Sequence, residues 1–132
     1  MRIAVVDDDA TFLELVAWVF AERGWDTLGF DGRGDIFANL VAAKPDLIVL
    51  DLRIKRGACG WDILTLLDGD PRTFHVPVIV CSAATDEIRD RRDWLAQRGV
   101  HTLEKPFDID VLLQLADGAL SEPGHRRRHQ SA

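Results

Sequence analysis

Three short apolar runs in this chain stop on residues with chemistry: Ile3-Ala4-Val5-Val6 on Asp7, Leu47-Ile48-Val49-Leu50 on Asp51, and Val78-Ile79-Val80-Cys81 on Ser82. Runs this short that do not alternate with polar residues read as strands buried on both faces, the kind found in parallel sheets covered by helices. A strand is predicted over residues 2–7, a second over 25–30, a third over 47–51, a fourth over 76–82 and a short fifth over 102–105. Helical spacing fills the gaps. Phe12, Leu15, Val16, Val19 and Phe20 make a stripe over 11–23 that Gly24 ends, and 36–43 stops at Lys44-Pro45. Residues 61–67, a polar stretch over 86–98, and 109–120 complete five strand–helix repeats. The fold class expected is α/β: one doubly wound five-stranded parallel sheet with helices on both faces.

Residues 1–120 form that single domain, and 121–132 form a basic, Pro/Gly-punctuated tail read as a disordered end. The tail carries Glu122 against Arg126, Arg127 and Arg128, so the chain's net −6 leaves −8 on the first 120 residues. An acidic body argues against nucleic acid as a partner. No apolar run approaches the ~20 residues of a membrane span, and no cationic flank plus apolar stretch marks a secretory leader. Cys59 and Cys81 are too few for a disulfide framework and too far apart for a zinc pair. A cytoplasmic location is expected.

In open α/β sheets, ligands bind beyond the carboxyl ends of the strands. This chain places there Asp7, Asp8 and Asp9 after strand 1, Asp51 after strand 3, Ser82 after strand 4 and Lys105 after strand 5. If the strand order is 2-1-3-4-5, as in flavodoxin-like sheets, strands 1 and 3 are adjacent and the acids converge at the switch point. Carboxylates about 4 Å apart repel by roughly 4 kcal/mol per pair at an effective dielectric of 20, so a proton or a cation must relieve them. Oxygen-only ligands suit Mg²⁺. A carboxylate can also act as a nucleophile toward phosphorus, with Lys105 and Ser82 meeting the phosphoryl oxygens.

These residues resemble the receiver domains of two-component response regulators. The resemblance runs from residue 2 to about 120 and rests on Asp7-Asp8, Asp51, Ser82 and Lys105-Pro106-Phe107 in that order. It implies a flavodoxin-like sheet, Asp51 as phosphoacceptor, and Mg²⁺ held by Asp7, Asp8, Asp51 and the backbone carbonyl of Arg53. It also implies a cis Lys105–Pro106 bond, and a histidine kinase or histidine phosphotransfer protein as donor. A downstream effector protein or a homodimer would receive the signal through the face of the fourth helix and the fifth strand–helix unit, in a regulator that stands alone. Such a protein is not an enzyme in the ordinary sense, although it catalyses its own phosphorylation and slow dephosphorylation. Arg53 and Ala84 would flank the path of the hydrolytic water, and neither offers an acid or amide to orient it.

The chain departs from the family pattern at several places. Lys55 stands where a proline is usual, and Gly60 lies nine residues after Asp51 instead of eight. Thr102 replaces the aromatic switch residue, Gly99 is one residue nearer the lysine than usual, and His101 is a candidate substitute for the missing ring.

Two other functions fit parts of the sequence. Asp7-Asp8-Asp9-Ala10-Thr11 matches the D-x-D-x-T motif of haloacid dehalogenase-like phosphatases, which would make Asp7 the nucleophile and Asp9 the acid/base. A receiver-like scaffold that is no longer phosphorylated is the other. The four histidines show no ligand spacing, Cys81 reads as a buried inert thiol, and Cys59 as an exposed one. The first helix has more apolar residues than one core stripe needs, which leaves Leu13 or Trp18 for a partner. Val111 and Leu115 suggest a similar face on the last helix.

Overall fold

A computed structural model describes residues 1–54, 59–83 and 85–121. Lys55, Ala84 and residues 122–132, on which the loop, water-path and tail expectations fall, lie outside the described residues. Eleven elements follow in order: β1 (Arg2–Val6), α1 (Ala10–Ala21), β2 (Asp26–Phe30), α2 (Ile36–Ala43), β3 (Leu47–Leu50), α3 (Gly60–Gly69), β4 (Val78–Ser82), α4 (Thr85–Asp90), α5 (Arg92–Gln97), β5 (His101–Glu104) and α6 (Ile109–Ser121). The five strands form one sheet in the order β2-β1-β3-β4-β5, as expected. Every pairing is parallel.

The strands sort their side chains by alternation, and each face makes its own core. Ala4, Val6, Ile48, Leu50, Val78 and Val80 meet Ile36 and Leu40 of α2, Ile63, Leu64 and Leu67 of α3, and Ile88 and Leu95 beyond. Ile3, Val5, Leu47, Val49, Ile79 and Cys81 meet Val16, Val19 and Phe20 of α1 and Leu112, Leu113 and Ala116 of α6. An ion pair between Arg23, just past the end of α1, and Asp117 of α6 lies at the surface.

Local chemistry sets the element ends. Asp9 caps α1, its carboxylate accepting from the backbone N–H groups of Thr11 and Phe12. Asp35 caps α2 through the N–H of Ala38, and Lys44 ends that helix in the left-handed region at φ 49°. The fourth strand begins at Val78, not at 76, because Pro77 has no N–H to give the ladder, although its carbonyl accepts from Ile48.

The single polar helix expected over 86–98 is two six-residue helices, α4 and α5, with Arg91 between them at φ −111° and ψ 19°. Their buried side chains are Ile88 and Leu95, seven positions apart. The intervening Arg89-Asp90-Arg91-Arg92-Asp93 buries nothing that would hold a regular turn.

Candidate functional site

The carboxyl ends of β1, β3, β4 and β5 form one rim, and the sheet register brings the predicted residues together there. Val6 pairs with Leu50, so Asp7 and Asp51 leave neighbouring strands at the same level. Backbone ladders continue one step beyond the strands: Asp51 N–H donates to Val6 O at 2.9 Å and Asp7 N–H to Phe30 O at 3.0 Å. Those bonds fix both carboxylates on rigid backbone. Asp7 is 1% exposed and Asp51 8%. Asp8 is half-buried beside them, and one carboxylate oxygen from each of the three lies within 4.8 Å of the others.

Lys105 answers this charge. Its Nζ is 2.6 Å from Asp7 Oδ2 and 3.4 Å from Asp51 Oδ2, and it lies over the Phe12 ring, 4.5 Å from the centroid. The Lys105 N–H donates to Ser82 O at 2.9 Å, which ties the lysine's backbone to the end of β4. The Lys105–Pro106 peptide is cis. Ser82 itself is fully buried at the same rim.

Burial pushes the Asp7 carboxyl above its usual range. The hydrogen bonds from Lys105 and the Asp9 N–H pull against that rise, and the nearby Asp51 charge adds to it. For Lys105, burial works to lower the ammonium's pKa, but the bond to Asp7 and the two carboxylate charges outweigh it and hold the group above its ordinary value. The ammonium is therefore a fixed cation between two acids. Three carboxylates against one ammonium still leave an excess of negative charge among hard oxygen donors, the donor set that a small divalent cation such as Mg²⁺ takes.

Backbone groups complete the rim. The Arg53 N–H donates to Asp51 Oδ1 at 3.0 Å, and the Asp9 N–H to Asp7 Oδ1 at 2.9 Å. Gly60, the first residue of α3, lies against the chain leaving β3: a Cβ there would stand 2.5 Å from Asp51 O and from the Leu52 Cα. A side chain at this position would push the phosphoacceptor candidate's own backbone aside. The spacing of nine residues from Asp51 had marked Gly60 as a departure, yet the contact shows it doing a glycine's work from that place.

Two sequence-level candidates fall away. The Asp9 carboxylate accepts at the α1 cap through Oδ1 and is not among the clustered acids Asp7, Asp8 and Asp51, which does not favour it as the acid/base of the phosphatase reading. His101 shares strand parity with Leu103, which packs on the α1/α6 core, whereas the exposed Thr102 points to the other face. His101 therefore does not take the place of an aromatic at 102.

Residues 3–117 match the response regulator receiver domain family. The chain belongs to that family. Similar curated proteins include the DNA-binding dual master transcriptional regulator RpaA of Synechocystis, 32% identical over 114 residues that make up 85% of this chain and 46% of that protein. Protein PilH of Pseudomonas aeruginosa is 27% identical over 121 residues, covering 91% of this chain and 98% of PilH. The receiver thus spans about half of some relatives and nearly all of others. Among solved structures, the receiver domain of the Francisella response regulator 1452 superposes with a TM-score of 0.77 at 25% identity, covering 91% of this chain and 96% of that one. A CheY-like receiver protein from Methanospirillum hungatei superposes at 0.78 with 17% identity, covering 91% and 93%, a likeness of fold. Among the described residues, no helix is long and apolar enough to cross a membrane.

Proposed function

We propose that this receiver is a cytoplasmic phosphoacceptor that takes a phosphoryl group from a phosphohistidine on Asp51. The observation that carries this reading is the convergence of Asp7, Asp8 and Asp51 under one lysine. An Asp51 carboxylate oxygen attacks phosphorus as the N–P bond of the phosphohistidine breaks. The bonding pair stays on the imidazole nitrogen, and an acyl phosphate forms. Asp7, Asp8, Asp51 and the Arg53 carbonyl would hold Mg²⁺, which when bound neutralises the phosphoryl oxygens and the crowded acids. Lys105 swings its ammonium from the Asp51 carboxylate onto a phosphoryl oxygen, and the Ser82 hydroxyl donates to another.

The donor, a histidine kinase or a histidine phosphotransfer protein, docks where its histidine can reach the rim. A groove of about 380 Å³ beside Lys105 is lined by Phe12, Leu15, Phe107 and Ile109, and Trp18, 65% exposed, stands one helical turn beyond Leu15 on α1. The acyl phosphate alters the face made by α4 and α5, β5 and α6, and an effector protein or a second copy of the chain reads the change. Arg53 offers no acid or amide to a hydrolytic water, so loss of phosphate is slow; a half-life of seconds would refute this, and Arg53→Asn would shorten the lifetime if the cause is right.

The deciding experiment is incubation with Mg²⁺ and acetyl phosphate, followed by intact mass. Wild type gains the mass of one phosphoryl group and Asp51→Asn does not. A gain retained in Asp51→Asn moves the nucleophile elsewhere, and no gain in wild type leaves a receiver-like scaffold.

A further inference from the structure

The outer side of the Asp51 loop makes a set of contacts with α4 that the phosphoacceptor chemistry leaves unused. Arg53 follows Asp51 by two positions, and its N–H already holds Asp51 Oδ1. Its side chain reaches α4, with Nε 3.9 Å from Glu87 Oε2. The same carboxylate oxygen accepts from the Trp61 indole N–H at 3.3 Å. Trp61 is buried at the start of α3, and the Arg91 guanidinium caps its ring at 4.4 Å from the centroid. The Trp94 ring of α5 meets Trp61 edge to face at 6.3 Å. Glu87 and Arg91 are four positions apart, so α4 and the break after it grip Trp61 from two sides.

Among the described residues, little else anchors α4. It is six residues long with Ile88 as its buried side chain, and Arg89 makes an exposed pair at 3.7 Å with Glu104, the residue before Lys105. Among the described residues, the two ion pairs of α4 therefore end next to the site: Arg53 beside Asp51, and Glu104 beside Lys105.

We propose that the Arg53–Glu87 pair is a latch that closes α4 onto the unmodified receiver, and that Arg53 exchanges Glu87 for the phosphoryl group when Asp51 is modified. This rests on the phosphoacceptor reading and deepens it. The pair is weak because both side chains are largely exposed, at 66% and 45%, and it is screened by water and salt. A phosphoryl group brings about −1.5 to −2 of charge and oxygens that suit the guanidinium's paired donors, so it outcompetes a single carboxylate at 3.9 Å. Glu87 then keeps the neutral indole donor but loses its cation, and the short helix loses its tie to the loop.

Hydrogen exchange of the full chain tests this, with and without Mg²⁺ and acetyl phosphate, and with phosphoryl loading verified by intact mass. Loading should speed exchange of the α4 amides in wild type by about threefold, the scale of an exposed ion pair. Unloaded Glu87→Gln should already exchange at that faster rate, and loading should add little to it. Equal exchange in unloaded wild type and Glu87→Gln overturns the latch. So does loaded wild type with unchanged α4, or a variant in which the two effects multiply in full. Failure of wild type to gain phosphoryl mass overturns the phosphoacceptor reading itself, so the two failures are told apart.

Discussion

Cys81 and Cys59 have the same side chain and opposite chemistry. Cys81 lies in β4 at 1% exposure, and burial drives its thiol up to about 12, with the Lys105 charge offsetting part of that rise. Cys59 is exposed ahead of α3. A thiol reagent at mildly alkaline pH should therefore label one cysteine per folded chain, and peptide mapping should find it at 59. The raised Cys81 value also has a stability consequence. Between about 9 and about 12 the unfolded chain loses the thiol proton and the folded chain keeps it, so stability falls as pH rises through that window, and Cys81→Ala should flatten the fall. Lys105, raised above 10.5, acts in the same direction as pH rises past that value. At Gly60, alanine should cost about 1–3 kcal/mol in urea unfolding, because its methyl meets backbone at 2.5 Å and backbone cannot rotate away. The acids and the lysine were legible from the sequence because each closes a run whose strand character is plain. Gly60 was legible only as a count from Asp51, since what a Cβ meets depends on the path of the loop between them.

At the scale of elements, α1 separates two chemical readings of its own first turn. Asp9→Ala removes two accepted hydrogen bonds and should cost about 1 kcal/mol of stability by urea unfolding. The same variant should still gain one phosphoryl group from acetyl phosphate; its failure to do so would restore the phosphatase role of Asp9. Most elements were readable from apolar spacing, α2 over Ile36–Ala43 included. The helix over 86–98 was not, because charge spacing says where side chains are solvated but not whether a turn without buried contacts stays regular. The Trp61–Glu87 contact was illegible for the same reason: residues 26 apart meet only once the break at Arg91 has set the direction of α4.

For the whole molecule, the excess negative charge at the rim is a standing cost of the unliganded fold. If Mg²⁺ is held by the native cluster, a site with no equivalent in the unfolded chain, it should stabilise by about 2.7 kcal/mol at a hundred times its dissociation constant. Thermal unfolding with Mg²⁺ against EDTA measures this, and Asp8→Asn should lose most of the shift. The two-sided helix layers followed from the buried runs, whereas the order β2-β1-β3-β4-β5 was legible only through the family resemblance, because apolar runs do not say which strands are neighbours. The sheet also does something that no single residue announces. Its two cores share no side chain: one belongs to α1 and α6, beside the groove at Leu15, and the other to α2 through α5. A substitution that loosens one layer therefore leaves the other layer's side chains seated against their own face of the five-stranded wall, so damage on the two sides should add without compounding.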